Sequence, residues 1–253
     1  ITRAAGVNLT VLDSTDPDSV AAALAEDLAS TVLVVSSKSG STVETDSQRR
    51  AFEDAFTKAG IDAASRIVVV TDPGSPLDGA AREAGYRAVF NADPNVGGRY
   101  SALTAFGLVP SGLAGADIEG LLDAAEDTAE ILSDNAEDNI GLALGAALGG
   151  TNPLRNKIVI VDEESGLAGF PDWAEQLIAE STGKLQTGIL PVVAESGAPE
   201  VLGGAPDVLV VRITAPDSEA MPEGDQVVVS GSLGSQMMLW EYATAVAGRL
   251  LGI

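Results

Sequence analysis

Short, wholly apolar runs alternate with longer polar stretches of helical periodicity along the first hundred residues. Residues 32–35 and 67–70 are β-branched runs of the kind buried on both faces of a parallel sheet. Between them, residues 42–59 read as a polar-faced helix. Asp16 caps a second helix that runs over 17–28 with Pro17 at its favoured first turn. Residues 7–12 (VNLTVL) alternate as a short strand would, 76–84 give a short helix, and 88–90 a last strand. A Pro/Gly/Asn-rich loop follows at 91–99, then helices at 116–132 and 138–148. Leu121, Leu122, Ala125, Ala129 and Leu132 form the apolar stripe of the first. Strand and helix alternate again through 157–161, 173–181, 189–193 and 208–213, and a long helix closes the chain at 236–251. This alternation predicts an α/β fold with doubly wound parallel sheets, in two halves joined by helices. The halves are expected at 1–110 and 111–253.

Composition narrows the chemistry. The 253 residues carry 37 acidic and 14 basic side chains, a net charge of −23. A nucleic-acid backbone would be repelled by that field. An anionic ligand would need a local site of backbone N–H groups, hydroxyls and a few cations. With no cysteine, disulfides and thiolate chemistry are excluded, and with no histidine the commonest proton shuttle and metal ligand are gone. No apolar run approaches the roughly 18–20 residues of a membrane span. No secretory leader opens the chain, so a cytoplasmic location is expected.

The densest local signal is Ser36-Ser37-Lys38-Ser39-Gly40-Ser41-Thr42, placed between a buried strand and a helix. Ligands of open parallel sheets bind at such carboxyl-end turns. The helix N-terminus there offers unpaired N–H groups and partial positive charge. Gly40 lets the backbone approach an anion, and Ser37, Ser39, Ser41 and Thr42 add neutral donors, with Lys38 beside them. A helix cap alone would need only one hydroxyl.

Ser37-Lys38-Ser39-Gly40-Ser41-Thr42 resembles the S-x-S-G-x-T phosphate loop of sugar-isomerase (SIS) domains. Extended through Glu44-Thr45, it is similar to the S-K-T-x-T-T-x-E-T segment of phosphoglucose isomerases. Three further segments resemble that family: Gly97-Gly98-Arg99-Tyr100-Ser101 (G-G-R-Y/F-S), Gln176 through Lys184 (Q-x-x-x-E-S-N-G-K, with Thr182 in place of Asn), and Trp240 through Gly248 (W-E-x-A-T-A-x-A-G). The last matches bacterial members and the isomerase half of transaldolase–isomerase fusions, and reads as structural.

The resemblance implies a SIS fold that interconverts glucose 6-phosphate and fructose 6-phosphate through an enediolate, without metal or organic cofactor. It makes Glu180 the base that carries a proton between C2 and C1. Arg99 is then the cation that stabilises the enediolate, and Ser37, Lys38, Ser39, Ser41 and Thr42 form the phosphate site. The sequence further suggests that Glu180 ends a helix whose Trp173, Leu177 and Ile178 face the core, desolvating its carboxylate. A homodimeric parent enzyme is also implied. The family's G-I-G-G-S loop, its ring-opening Lys and its active-site His have no counterpart, so the chain is expected to be a portion of an isomerase, inactive alone. The alternative is a non-catalytic SIS module that binds phosphosugars for regulation.

Overall fold

A computed structural model describes residues 1–218 and 224–253. The chain divides into two compact units, one of Asn8–Gly115 and one of Ile1–Val7 with Ala116–Ile253. The boundary expected at 110/111 falls inside a helix.

The Asn8–Gly115 unit runs α1 (Pro17–Leu24), β1 (Leu33–Ser37), α2 (Val43–Lys58), β2 (Ile67–Thr71), α3 (Pro76–Glu83), β3 (Ala88–Asn91) and α4 (Ala105–Leu113). Its sheet has the order β1-β2-β3, all parallel, with Ser37 opposite Thr71 and Thr71 opposite Asn91. All five β2 residues are buried, as its unbroken apolar run requires. Val35, Ile67 and Val69 pack with Phe52 and Phe56 of α2 and Leu77 and Ala81 of α3. Val68 and Val70 point to the other face and are equally buried, and α4 lies against β2.

Three expectations change here. Residues 7–12 form no strand: Val11 and Leu9 are exposed, and the segment finds no ladder partner among the described residues. Apolar alternation without a partner edge is not enough to hold extended backbone. The helix at Pro17 stops at Leu24, four residues early. Helix α4 is hidden by its composition, because Gly107, Pro110 and Gly112 lower its local propensity.

The second unit carries α5 (Ile118–Ser133), α6 (Ile140–Gly149), β4 (Lys157–Glu163), α7 (Phe170–Thr182), β5 (Leu190–Val193), α8 (Pro199–Leu202), β6 (Val208–Thr214), β7 (Val227–Ser230) and α9 (Leu233–Leu251). The parallel sheet has the order β5-β4-β6-β7. Strand order thus reverses at β4, the doubly wound arrangement expected. Val159, Val161 and Val210 pack with Val201 of α8, while α7 contacts β4 and β5. Helix α9 packs on α5, α6 and α7, and its Trp240 is wholly buried with an edge-on contact to Phe170. The four-residue elements β7 and α8 are additions to the elements expected from the sequence.

Gly141, Gly145 and Gly149 line the side of α6 that meets α9. A Cβ on Gly149 would lie 2.8 Å from both Cα and carbonyl oxygen of Ala247, and one on Gly145 2.5 Å from the Val246 side chain. The two backbones therefore touch, which buried glycines permit.

Glu241 of α9 is half-buried, and its Oε1 has no hydrogen-bond partner among the described residues. Burial pushes its carboxyl up to about 7.

The packing of α9 can be tested at both residues. Gly149→Ala should cost about 1–3 kcal/mol by overpacking, read as a lower urea midpoint. For Glu241, the folded state favours the protonated form. Its contribution is therefore whole below the ordinary carboxylate range and is lost as pH rises toward about 7. Glu241→Gln should leave the urea midpoint nearly unchanged at acid pH, and at mildly alkaline pH raise stability by about 1–3 kcal/mol. Equal effects at both pH values would refute the assignment.

Candidate phosphate site and carboxylate helix

The turn after β1 is built by its own hydroxyls. Ser37 is buried at the end of the strand, and its Oγ accepts the Gly40 N–H at 3.1 Å and lies 3.4 Å from Thr42 Oγ1. Ser39 Oγ accepts both the N–H and the hydroxyl of Ser41, at 3.3 and 3.0 Å. Gly40 has φ +64°, and a Cβ there would lie 2.6 Å from Leu77 Cβ. The turn thus needs glycine twice over, for conformation and for room.

Thr42 occupies the N-cap of α2, yet its side chain makes no capping hydrogen bond to that helix. The first intrahelical bond is Asp46 N–H to Thr42 C=O, at 3.0 Å. The N–H groups of the first turn are thereby left toward the exposed hydroxyls of Ser39, Ser41 and Thr42. By contrast α1, α3, α5 and α6 are each capped by an Asp, Ser or Asn side chain. An uncapped N-terminus amid hydroxyls can take an anion without any net positive charge.

Lys38 sits in the same turn. Its Nζ bonds Asp72 Oδ1 at 2.8 Å and stands 5.2 Å from the centre of the Phe106 ring. Asp72 is a site neighbour that sequence reasoning missed. It follows β2 directly, and β2 is the parallel neighbour of β1, so the two carboxyl-end residues meet. Thr71 Oγ1 donates to Ser37 C=O at 2.6 Å and tethers the turn from the same side.

The loop holding Arg99 belongs to this unit. A 3-10 turn spans Gly98–Tyr100, and Ser101 Oγ donates to Gly98 C=O at 2.5 Å. A Cβ on Gly98 would come within 4.0 Å of Lys38 Cδ, so the Arg99 turn lies beside the hydroxyl-rich turn.

Glu180 lies in the last turns of α7, in the other unit. Leu177 and Ile178 face the core as expected and Trp173 is half-buried, but Glu180 itself is exposed. Facing outward from α7, it does not meet the desolvation the sequence suggested. Gln176, one helical turn earlier, donates from Nε2 to Glu180 Oε1 at 3.0 Å, and Lys184 Nζ donates to the Glu180 C=O at 2.9 Å. Gln176 belongs to the motif but has no role assigned by it; its four-residue spacing from Glu180 is the available signal. Glu180 Oε1 is thus held by a neutral donor on the same helix face.

A family model described as phosphoglucose isomerase matches residues 2–206. A glucose-6-phosphate isomerase of Synechococcus sp. (strain JA-3-3Ab) is 38% identical over 70% of the chain and 35% of its own length. A probable glucose-6-phosphate isomerase of Haloarcula marismortui is 37% identical over 73% of the chain and 42% of its own length. The chain therefore spans about a third to two fifths of the curated relatives it matches. Among solved structures, a hypothetical protein of Thermus thermophilus superposes with a TM-score of 0.81 at 26% identity, over 99% of the chain and 74% of that protein. A glucose-6-phosphate isomerase of Chlamydia trachomatis shares the fold, with a TM-score of 0.78 at 22% identity over 95% of the chain and 59% of its own. With its family model covering most of the sequence and curated relatives above one-third identity, this chain belongs to the phosphoglucose isomerase family.

Proposed function

We propose that this chain supplies the phosphate-binding turn and the proton-transfer carboxylate of an isomerase that interconverts glucose 6-phosphate and fructose 6-phosphate. The observation that carries the reading is the uncapped N-terminus of α2, set among the hydroxyls of Ser37, Ser39, Ser41 and Thr42 at the carboxyl end of β1. The curated relatives' names supply the substrate pair. The same reading carries a homodimeric, cytoplasmic enzyme.

The chemistry divides among few groups. Ser39, Ser41, Thr42 and the first-turn N–H groups of α2 hold the phosphate, with Ser37 shaping the turn from beneath. Lys38, tethered by Asp72, lends positive potential without having to be the sole counter-charge. Glu180 takes the C2 proton of the open-chain aldose and returns it at C1. Arg99 stabilises the enediolate formed between those steps, where a fixed cation lowers the energy of developing negative charge.

Binding of fructose 6-phosphate, measured by calorimetry, should weaken by at least about 100-fold in Ser39→Ala/Thr42→Ala, since hydrogen bonds to a charged group contribute about 1.5–3 kcal/mol each. Unchanged affinity would remove the phosphate from this turn. In the enzyme that contains this chain, Glu180→Gln should lower kcat by about 10²–10⁴-fold with little change in KM. Retained turnover would refute Glu180 as the base, while phosphosugar binding without turnover in the unmutated enzyme would favour a regulatory module.

A further inference from the structure

A second helix N-terminus shares the features of the α2 turn. Strand β7 ends at Ser230, Gly231 follows with φ +151°, and Ser232 is the N-cap of the 19-residue helix α9. Because β7 runs parallel to β6, this turn lies on the carboxyl edge of its sheet, where ligands of such sheets bind. The Ser232 side chain makes no capping bond to α9. Its hydroxyl instead lies 3.0 Å from that of Ser235, and Ser235 Oγ reaches the Ala124 C=O at 3.2 Å. The first intrahelical bond from this end is Gln236 N–H to Ser232 C=O, at 2.9 Å. Leu233, Gly234 and Ser235 thus present N–H groups with no capping partner among the described residues.

Gln236 supplies the independent observation. It is 1% exposed, and its Nε2 has no hydrogen-bond partner among the described residues. Its amide orientation is dictated by chemistry. Trp240 Nε1 can only donate, so Gln236 must turn its oxygen toward it, and that bond measures 3.0 Å. The NH2 group is thereby forced to the opposite side, toward the helix start. It lies 3.3 Å from where a Cβ on Gly231 would stand, so the missing side chain leaves a notch that the amide faces. A buried amide donor without a partner costs about 1–3 kcal/mol, and that penalty is relieved by an acceptor placed in the notch.

We propose that the turn Gly231-Ser232-Leu233-Gly234-Ser235, with the Gln236 amide, is a second anion site, which takes a phosphoryl group. The first-turn N–H groups carry the positive end of the helix dipole, and Gln236 Nε2 adds a donor from the buried side. The segment from Ser230 to Gln236 contains no Lys or Arg. Recognition is therefore by neutral dipoles, and binding depends little on salt compared with a site built from cations. The site belongs wholly to the Ala116–Ile253 part of the chain and does not depend on the isomerase reading.

The test is a titration of the isotopically labelled 253-residue chain with inorganic phosphate, followed by amide NMR, with fructose 6-phosphate in a parallel arm. The backbone amides of Leu233, Gly234 and Ser235 and the side-chain amide of Gln236 should shift and saturate together, separately from those of residues 39–42. Gln236→Glu keeps the acceptor for Trp240 but replaces the inward donor by an oxygen. It should abolish the shifts at 233–235 and leave those at 39–42 in place. Gln236→Met, which removes the donor without adding charge, should weaken the 233–235 response by at least tenfold. Shifts at the same amides with fructose 6-phosphate would show that the site admits a sugar phosphate. Shifts with inorganic phosphate alone would identify the free ion as its ligand. No response at 233–236 in the unmutated chain, or a response that survives both substitutions unchanged, overturns the proposal.

Discussion

Across the carboxyl end of the first sheet, the buried hydroxyl of Thr71 donates to the main-chain carbonyl of Ser37 at 2.6 Å. That bond fixes where β1 stops and where its chain turns. Ser37 in turn accepts the Gly40 N–H, and Thr71 Oγ1 also lies 2.7 Å from Ser75 Oγ, the N-cap of α3. One buried threonine thus ties the end of β1 to the start of α3. The turn between β1 and α2 then has a single path, along which Gly40 slips past Leu77. Ordering the hydroxyls before an anion arrives lowers the entropic cost of binding it.

A turn built from hydroxyls and backbone N–H groups also suits a chain of net charge −23. Its cations are few and several are committed, Lys38 to Asp72, Arg49 to Asp46 and Glu53, and Arg212 to Glu163. Backbone N–H groups and hydroxyls make no demand on that supply. They act over short distances, where the field of remote carboxylates is screened by solvent.

Much of this is legible in the sequence because buried parallel strands write themselves as unbroken β-branched runs. Residues 67–70 can be read from composition alone, and the hydroxyl-rich turn stands out because one cap needs one hydroxyl. What escapes depends on contacts between distant segments. Residues 7–12 alternate correctly but have no partner edge among the described residues. Helix α4 carries a proline and two internal glycines, and β7 is short and half-exposed. The Lys38–Asp72 pair joins residues 34 apart in sequence, visible only once β1 and β2 are set in register. The place of Glu180 on α7 follows from local periodicity, but exposure is set by what surrounds a helix and not by the helix itself. Gln236 gives no sign in sequence, since a glutamine in a helix is ordinarily solvated.

The glycine face of α6 has a bearing on how α9 is held along its own axis. With Gly141, Gly145 and Gly149 spaced by four and the backbones in contact, α9 cannot glide past α6 in small increments. The next position at which ridge and groove would mesh again lies one four-residue step away, about 6 Å along the axis. The seam therefore behaves as a detent, and the start of α9 is set at one height above the carboxyl edge of its sheet. Distant substitutions that loosened this seam would be felt as misplacement of Ser232 and its neighbours long before they were felt as loss of helix.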